Sequence, residues 1–181
     1  MKSQSNQSLE TQNSSLPFIL FELAGTTYAL HSQTVQQMEM VQQITPVPNA
    51  ANFVEGVVFS RGQVIPAINL RVRFGWEKVP YDVRTRLIVI NVNNRTVGLI
   101  ADSAREFISI PSDTILPPPE AISGLSGKYL AGIAMLGERL ILILNAEEII
   151  NLVTDTSVVS LANNLFAPQT TSEQNPPLHT S

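Results

Sequence analysis

The sequence predicts a mainly β fold assembled twice from one β-rich unit, and three observations carry that expectation. Short apolar runs alternate with two-residue turn signals along most of the chain, the pattern of antiparallel hairpins. Parts of the first half recur in the second: Phe53, Gly56 and Asn69 align with Tyr129, Gly132 and Asn145 at one offset, 132 − 56 = 76. Upstream, FILFELAGTTYAL at residues 18–30 echoes LIVINVNNRTVGL at 87–99, and VQQMEMVQQITPVP at 35–48 echoes AREFISIPSDTILP at 104–117, both at an offset of 97 − 28 = 69. Two small similar barrels side by side are the expected product, a body suited to docking rather than to catalysis.

The elements follow in order. Residues 18–23 and 27–30 read as a hairpin turning at Ala24-Gly25. Val35, Met38 and Met40 read either as one bulged strand or as a helical turn followed by a strand, and the β-prone AREFISI at the matching position favours the strand. Pro46 and Pro48 bound a loop, and 49–53 is expected as one helical turn capped by Asn49. Residues 54–60 and 63–70 are strands joined at Arg61-Gly62. Pro66 cannot donate a ladder hydrogen bond, so its strand is expected at a sheet edge or bulged. Residues 70–82, with five charged residues, Gly75, Trp76 and Pro80, read as the connection between the halves.

In the second half, 87–92 is apolar except for Asn91, as suits a strand covered on both faces. Asn93-Asn94 is a tight turn, since Asn tolerates positive φ, and 96–101 returns from it. A strand at 105–110 precedes the stiff Pro117–Pro119 loop. Strands at 130–136 and 139–144 meet at Gly137-Glu138. Asn145 stands three residues before Glu148 in a capping-box arrangement. Ile149, Leu152 and Val153 form one helical stripe; Val158, Leu161 and Leu165, within 154–165, form a second short one. Residues 1–16 and 166–181 are rich in Ser, Gln, Asn, Thr and Pro and read as disordered polar tails, with too little apolar surface to offset the entropy of ordering.

Composition narrows the function. With 44% hydrophobic residues the body between the tails has material for a core. Cysteine is absent, which excludes disulfides, thiol nucleophiles and thiolate metal sites and suits the cytosol. The N-terminal run has no apolar core, so it is no signal peptide, and no stretch approaches the ~18 apolar residues of a membrane span. A net charge of −4 argues against a nucleic-acid or anionic-membrane partner.

Catalytic chemistry finds no foothold. His31 and His179 have no second ligand at metal spacing. GLSGK at 124–128 leads into a strand, not a helix, and reads as a flexible connection rather than a phosphate loop. Ser60 lies between two strands, unlike a nucleophile elbow. Asp102 and Glu106 read as a turn residue and a solvated strand residue, with no partner base for acid–base work. What remains is surface. Arg61 is either a solvated turn arginine or a fork for a partner's carboxylate. Val35, Met38 and Met40 either pack inward or line an outer strand face, and Met suits adaptable contacts. Phe59, Met135 and Leu136 are similar candidates for an apolar docking patch.

Three segments in register give these residues a family. GVVFSRGQVIPAINLRVRFG at 56–75, VGLIADSAREF at 97–107 and YLAGIAMLGERLILILNAEEII at 129–150 resemble the CheW family of chemotaxis coupling proteins, across nearly all of 18–153. The resemblance implies two packed SH3-like five-stranded β barrels, divided at about 17–84 and 85–144, then a short C-terminal helix. It implies a non-catalytic adaptor without cofactor, a monomer when isolated. Such an adaptor joins the cytoplasmic tips of methyl-accepting chemoreceptors to the regulatory domain of a CheA-type histidine kinase. It works in the cytoplasm, recruited to membrane-associated receptor arrays. The same adaptor chemistry in pilus-dependent twitching motility or phototaxis is the alternative. Carried over by position, Val35, Gln37 and Met38 line the receptor side, with Gly56, Arg61, Gly62 and Phe107 nearby. Two departures stand out: Gln37 replaces an acidic residue common in the family, and FSRG replaces the commoner NLRG.

Overall fold

The computed structural model describes residues 14–119 and 127–151. Ten strands and two short helices occur among them: β1 (Ser15–Leu23), β2 (Thr26–His31), β3 (Val35–Met40), β4 (Val54–Ser60), β5 (Gln63–Asn69), α1 (Leu70–Arg73), β6 (Arg86–Val92), β7 (Arg95–Ala101), β8 (Ser103–Pro111), β9 (Leu130–Leu136), β10 (Arg139–Leu144) and α2 (Ala146–Asn151). The expected second helix at 154–165, most of GLSGK and nearly all of the polar tails lie outside the described residues. β1 begins inside the expected tail because Ser15 and Leu16 pair with Pro111 and Ile110.

The strands form two five-stranded sheets, ordered β8-β1-β2-β10-β9 and β3-β6-β7-β5-β4. Replacing each strand of the first half by its counterpart in the second turns one order into the other. The sequence echo is therefore a real structural repeat. A boundary at residue 84, however, does not divide the sheets. The hairpin β1–β2 joins β8, β9 and β10, and the equivalent hairpin β6–β7 joins β3, β4 and β5. The chain changes sheet after β2 through one 3-10 turn at Ser32–Thr34, and after β7 through Asp102 alone. By contrast the long connection after α1 returns to its own sheet. Each sheet thus takes two strands from one half and three from the other.

The same backbone contacts recur in both sheets. Each exchanged hairpin is held by a parallel ladder, with Ile143 opposite Ala29 in one sheet and Ala67 opposite Gly98 at the repeat-equivalent position in the other. Each sheet then closes into a barrel by a single bridge from the segment following its first edge strand. Thr45 and Val57 exchange hydrogen bonds of 2.8 and 2.9 Å, and Leu116 and Ile133 exchange two of 2.8 Å. Gly56 and Gly132 stand beside these bridges. A Cβ on Gly56, whose φ is +142°, would lie 2.1 Å from the Thr45 carbonyl oxygen.

Alternation along the strands sorts the apolar residues into three cores. Phe18, Leu20, Ala29, Ile141 and Ile143 fill the first barrel, while Val58, Ile65, Leu87, Val89 and Ile100 fill the second. The opposite faces of the same strands supply Phe21, Leu23, Leu30, Ile68, Ile88, Ile90 and Leu99 to a larger core between the barrels. This explains the nearly continuous apolar run of β6, which serves one core with Leu87 and Val89 and the other with Ile88 and Ile90.

Two expectations about local structure are overturned. Asn49 does not cap a helical turn: it has φ +58° within a β-type turn, and residues 49–53 contain no helix. β5 is an inner strand between β7 and β4 despite Pro66. Both backbone polar groups of Val57, opposite Pro66, are spent on Thr45, so Pro66 turns its missing donor toward β7. The β7 ladder begins only at Ala67, whereas the equivalent ladder in the first sheet already starts at Ile141, two repeat positions earlier. The ladder beside the proline is thus displaced along the strand, with three residue pairs in both sheets, and the strand is not forced to the edge.

An ion pair ties the barrels together at a sheet change. Asp102 accepts from Arg71 Nε and Nη2, both at 2.6 Å, and from the Ala24 N–H at 2.8 Å. Burial alone raises this carboxyl, but the Arg71 hydrogen bonds, the Ala24 N–H and the Arg71 charge outweigh it and hold the pKa below the usual aspartate range. A depressed carboxylate contributes stability that is present above its unfolded pKa of about 4 and is lost as pH falls through the lower folded value. Asp102→Asn is therefore expected to cost about 2 kcal/mol at pH 7. The gap to wild type should shrink in urea titrations below about pH 4. An equal gap at pH 7 and pH 2.5 would show that the carboxylate's charge contributes nothing.

Candidate functional site

Four hairpin turns were legible in the sequence, and the one at Arg61-Gly62 carries the one cation among the seven candidate residues. Arg61 (φ +47°) and Gly62 (φ +82°) form a turn with positive φ at both central residues, between the paired Ser60 and Gln63. Arg61 is exposed and has no hydrogen bond or ion pair among the described residues. An arginine held in the left-handed region costs roughly 1–2 kcal/mol relative to the right-handed one. The β4–β5 pairing that the turn closes offsets that cost, as the β1–β2 pairing does for Ala24 at φ +50°.

β3 is an edge strand, and its bulge decides what it shows to solvent. Val35 pairs with Ile90 and Gln37 with Val89, so Gln36 is skipped. The extra residue puts Val35, Met38 and Met40 on the side of Ile88 and Ile90, the side of the inter-barrel core. Gln37 and Glu39 turn to the other side, toward the mouth of the second barrel. Val35 packs on the inter-barrel core at its rim, whereas Met38 (41% exposed) and Met40 (58%) are open to solvent.

The bulge recurs in the other barrel. On β8, Leu20 pairs with Glu106 and Phe21 with Ala104, so Arg105 is skipped at the position equivalent to Gln36. Phe107, the counterpart of Met38, is 64% exposed and pairs with Ile19. Glu106, the counterpart of Gln37, turns to the first barrel's mouth and binds Arg139 at 2.9 and 3.2 Å. Each barrel therefore offers exposed large apolar side chains, Met38 and Met40 on one and Phe107 on the other, on the face that it turns toward the other barrel, beside an edge strand.

The seven candidate residues thus separate into groups. Val35, Met38 and Phe107 lie on inter-barrel faces, the first two together on β3 and Phe107 on β8. Arg61 and Gly62 make the β4–β5 turn. Gly56 is buried beside the Thr45 bridge and lets Thr45 close the barrel. Gln37 points away from Val35 and Met38, and its Nε2 donates to Ser60 Oγ at 2.8 Å. Ser60 Oγ in turn donates to Glu39 Oε1 at 2.9 Å. Of the apolar docking candidates, Phe59, Met135 and Leu136 are all exposed, and Phe59 and Met135 are repeat equivalents. Leu140, directly opposite Met135, extends that patch.

Two features were missed at the sequence level. Asp102 lies at the bend between β7 and β8 and Glu106 is an exposed strand residue, as expected, but their ion pairs with Arg71 and Arg139, partners far away in sequence, were not legible. Asn69 caps α1 through Val72 N–H, as Asn145 caps α2 through the N–H groups of Glu147 and Glu148. The repeat held that signal: the backbone N–H groups of Asn69 and Asn145 also bond the matched Phe53 and Tyr129 carbonyls, at 2.8 and 2.7 Å. Arg73, at the end of α1, lies 4.2 Å from the Phe53 ring and 5.2 Å from the Tyr129 ring. Its buried Nε and Nη2 have no hydrogen-bond partner among the described residues, so aromatic faces take the place of acceptors. Among the described residues no cluster of His, Cys, Asp or Glu is arranged to hold a metal, and no helix is long and apolar enough to cross a membrane.

Known proteins bear on this geometry. The family model described as CheW-like domain matches residues 17–154. The chain is 34% identical over 134 residues to the chemotaxis protein CheW of Klebsiella aerogenes, covering 74% of this chain and 81% of that one. It is 35% identical over 137 residues to CheW of Helicobacter pylori, covering 75% and 81%. It also resembles protein FrzA of Myxococcus xanthus, with 29% identity over 102 residues and coverage of 56% and 64%. The crystal structure of the scaffolding protein TtCheW from Thermoanaerobacter tengcongensis superposes with a TM-score of 0.71 at 29% identity, covering 76% of this chain and 93% of that one. The repeat, the two five-stranded sheets and these matches agree: the chain belongs to the CheW-like domain family.

Proposed function

We propose that this protein is a non-catalytic adaptor that couples the cytoplasmic tips of methyl-accepting chemoreceptors to the regulatory domain of a CheA-type histidine kinase. The observation that carries this reading is the doubled bulge. It turns Met38 and Phe107 outward at equivalent places beside the inter-barrel core, with Arg61 unpaired on a nearby edge of the second barrel. Exposed apolar anchors with a free guanidinium are what a small docking body needs, because a few such residues carry most interface energy. Coupling then works by contact. The adaptor holds receptor and kinase in one arrangement, and a receptor movement biases an existing equilibrium of the kinase to the extent that the two states bind the adaptor differently. In this reading the protein works in the cytoplasm, at membrane-associated arrays.

Titrating the purified chain with the regulatory domain of a CheA-type kinase from the same source, by calorimetry, tests the kinase half. Saturable one-to-one binding is the expected result. Absence of binding to every such kinase of that source would remove the coupling role. The equivalent adaptor of a pilus-dependent twitching or phototaxis system would then lead.

A further inference from the structure

The geometry points to Glu39 as a recognition carboxylate for a basic side chain of the receptor-tip helices, acting beside Arg61 as the opposite pole of one surface. This assignment rests on the receptor-binding reading above and names its chemistry. The β3 bulge turns Gln37 and Glu39 together toward β4. A glutamine Nε2 has only hydrogens to offer, so Ser60 Oγ must accept from Gln37 at 2.8 Å. The single hydroxyl hydrogen of Ser60 is then left for Glu39 Oε1, at 2.9 Å. Ser60 is 7% exposed, so this relay is sheltered and its direction is set. Gln37 orients Ser60, and Ser60 orients Glu39.

The carboxylate is held but not satisfied. An ionised carboxylate has about four acceptor positions. Glu39 receives the Ser60 bond and one long contact, 3.5 Å, from Gln42 Nε2. No Lys, Arg or His lies within ion-pair distance of it among the described residues. It is only partly buried, so its open oxygen positions are within a partner's reach. Arg61 directly follows Ser60 in the chain and is likewise without an ionic partner. A negative and a positive group thus flank one sheltered serine, and the fold does not pair them with each other. The complementary surface is a helix presenting a Lys or Arg and an Asp or Glu on one face.

The test is a calorimetric titration of the full chain with the cytoplasmic-tip helical hairpin of a chemoreceptor from the same source, at low and at physiological salt. Glu39→Gln keeps an acceptor for Ser60, so the melting curve should match wild type while affinity falls about ten-fold and salt dependence weakens. Ser60→Ala, which frees the carboxylate from its orienting bond, should lose a smaller factor, about three-fold. Arg61→Glu serves as the reference variant for the receptor surface. Unchanged affinity of Glu39→Gln, with Arg61→Glu still losing binding, would overturn the role of Glu39 and leave the receptor reading standing. No binding by wild-type protein would remove both.

Discussion

Replacing Gly56 with alanine should open the second barrel. The added Cβ would sit 2.1 Å from the Thr45 carbonyl oxygen, 2.7 Å from its carbon and 2.9 Å from Pro46 Cα, all backbone atoms that cannot swing aside. At φ +142° the position is also strained for any residue with a side chain. Thr45 must withdraw, and the two hydrogen bonds that close the barrel go with it. The expected loss is about 3 kcal/mol or more, a fall in melting temperature of roughly 10 °C. Gly132→Ala is the internal control. There the nearest atom is the Ile115 Cγ2 methyl at 2.8 Å, which can rotate, and φ lies outside the strained region. That substitution should cost about 1 kcal/mol. Hydrogen exchange of the Val57 and Ile133 amides reads the two closures separately. Equal losses for the two variants would refute the closure argument.

Arg61→Glu should lower receptor-tip binding at least about ten-fold and leave the fold intact. The residue is exposed and bonds nothing among the described residues, so reversing its charge removes no internal contact. Arg61→Asn gives the sharper test. Asn-Gly is the favoured pair for a turn with positive φ at both central positions, so stability should rise by about 0.5–1 kcal/mol. Binding should nevertheless fall. A variant more stable and less active would mark Arg61 as a residue held in an unfavourable conformation for its contact. Unchanged affinity of both variants in a quantitative pull-down would remove Arg61 from the interface.

Local chemistry made much of this fold legible beforehand. The pairs Ala24-Gly25, Arg61-Gly62, Asn93-Asn94 and Gly137-Glu138 each sit where the chain must take positive φ, and each proved to be a hairpin turn. The bulge in β3 was legible because Val35, Met38 and Met40 share a face only if one residue is skipped. Other features depend on neighbours that periodicity does not report. Pro66 looked like an edge signal, yet its strand is internal because the β7 ladder starts one residue later. Gln37 belonged with Val35 and Met38 by position, yet the same bulge that unites those two sends Gln37 to Ser60.

By itself, then, the sequence determined the β content, the repeat, the turns and the family, because each is written in short-range spacing or in matched motifs. Only the tertiary structure decided which copies pair. An internal echo states that two units are alike but not whether a hairpin stays with its own unit or crosses to the other. That choice is made by the parallel ladders of β2 with β10 and β5 with β7, and by the core that both barrels bury between them. The position of charge was decided there too. Asp102 found Arg71, Glu106 found Arg139, and Glu39 and Arg61 were left without an ionic partner among the described residues, because ion pairing follows distance in space rather than along the chain.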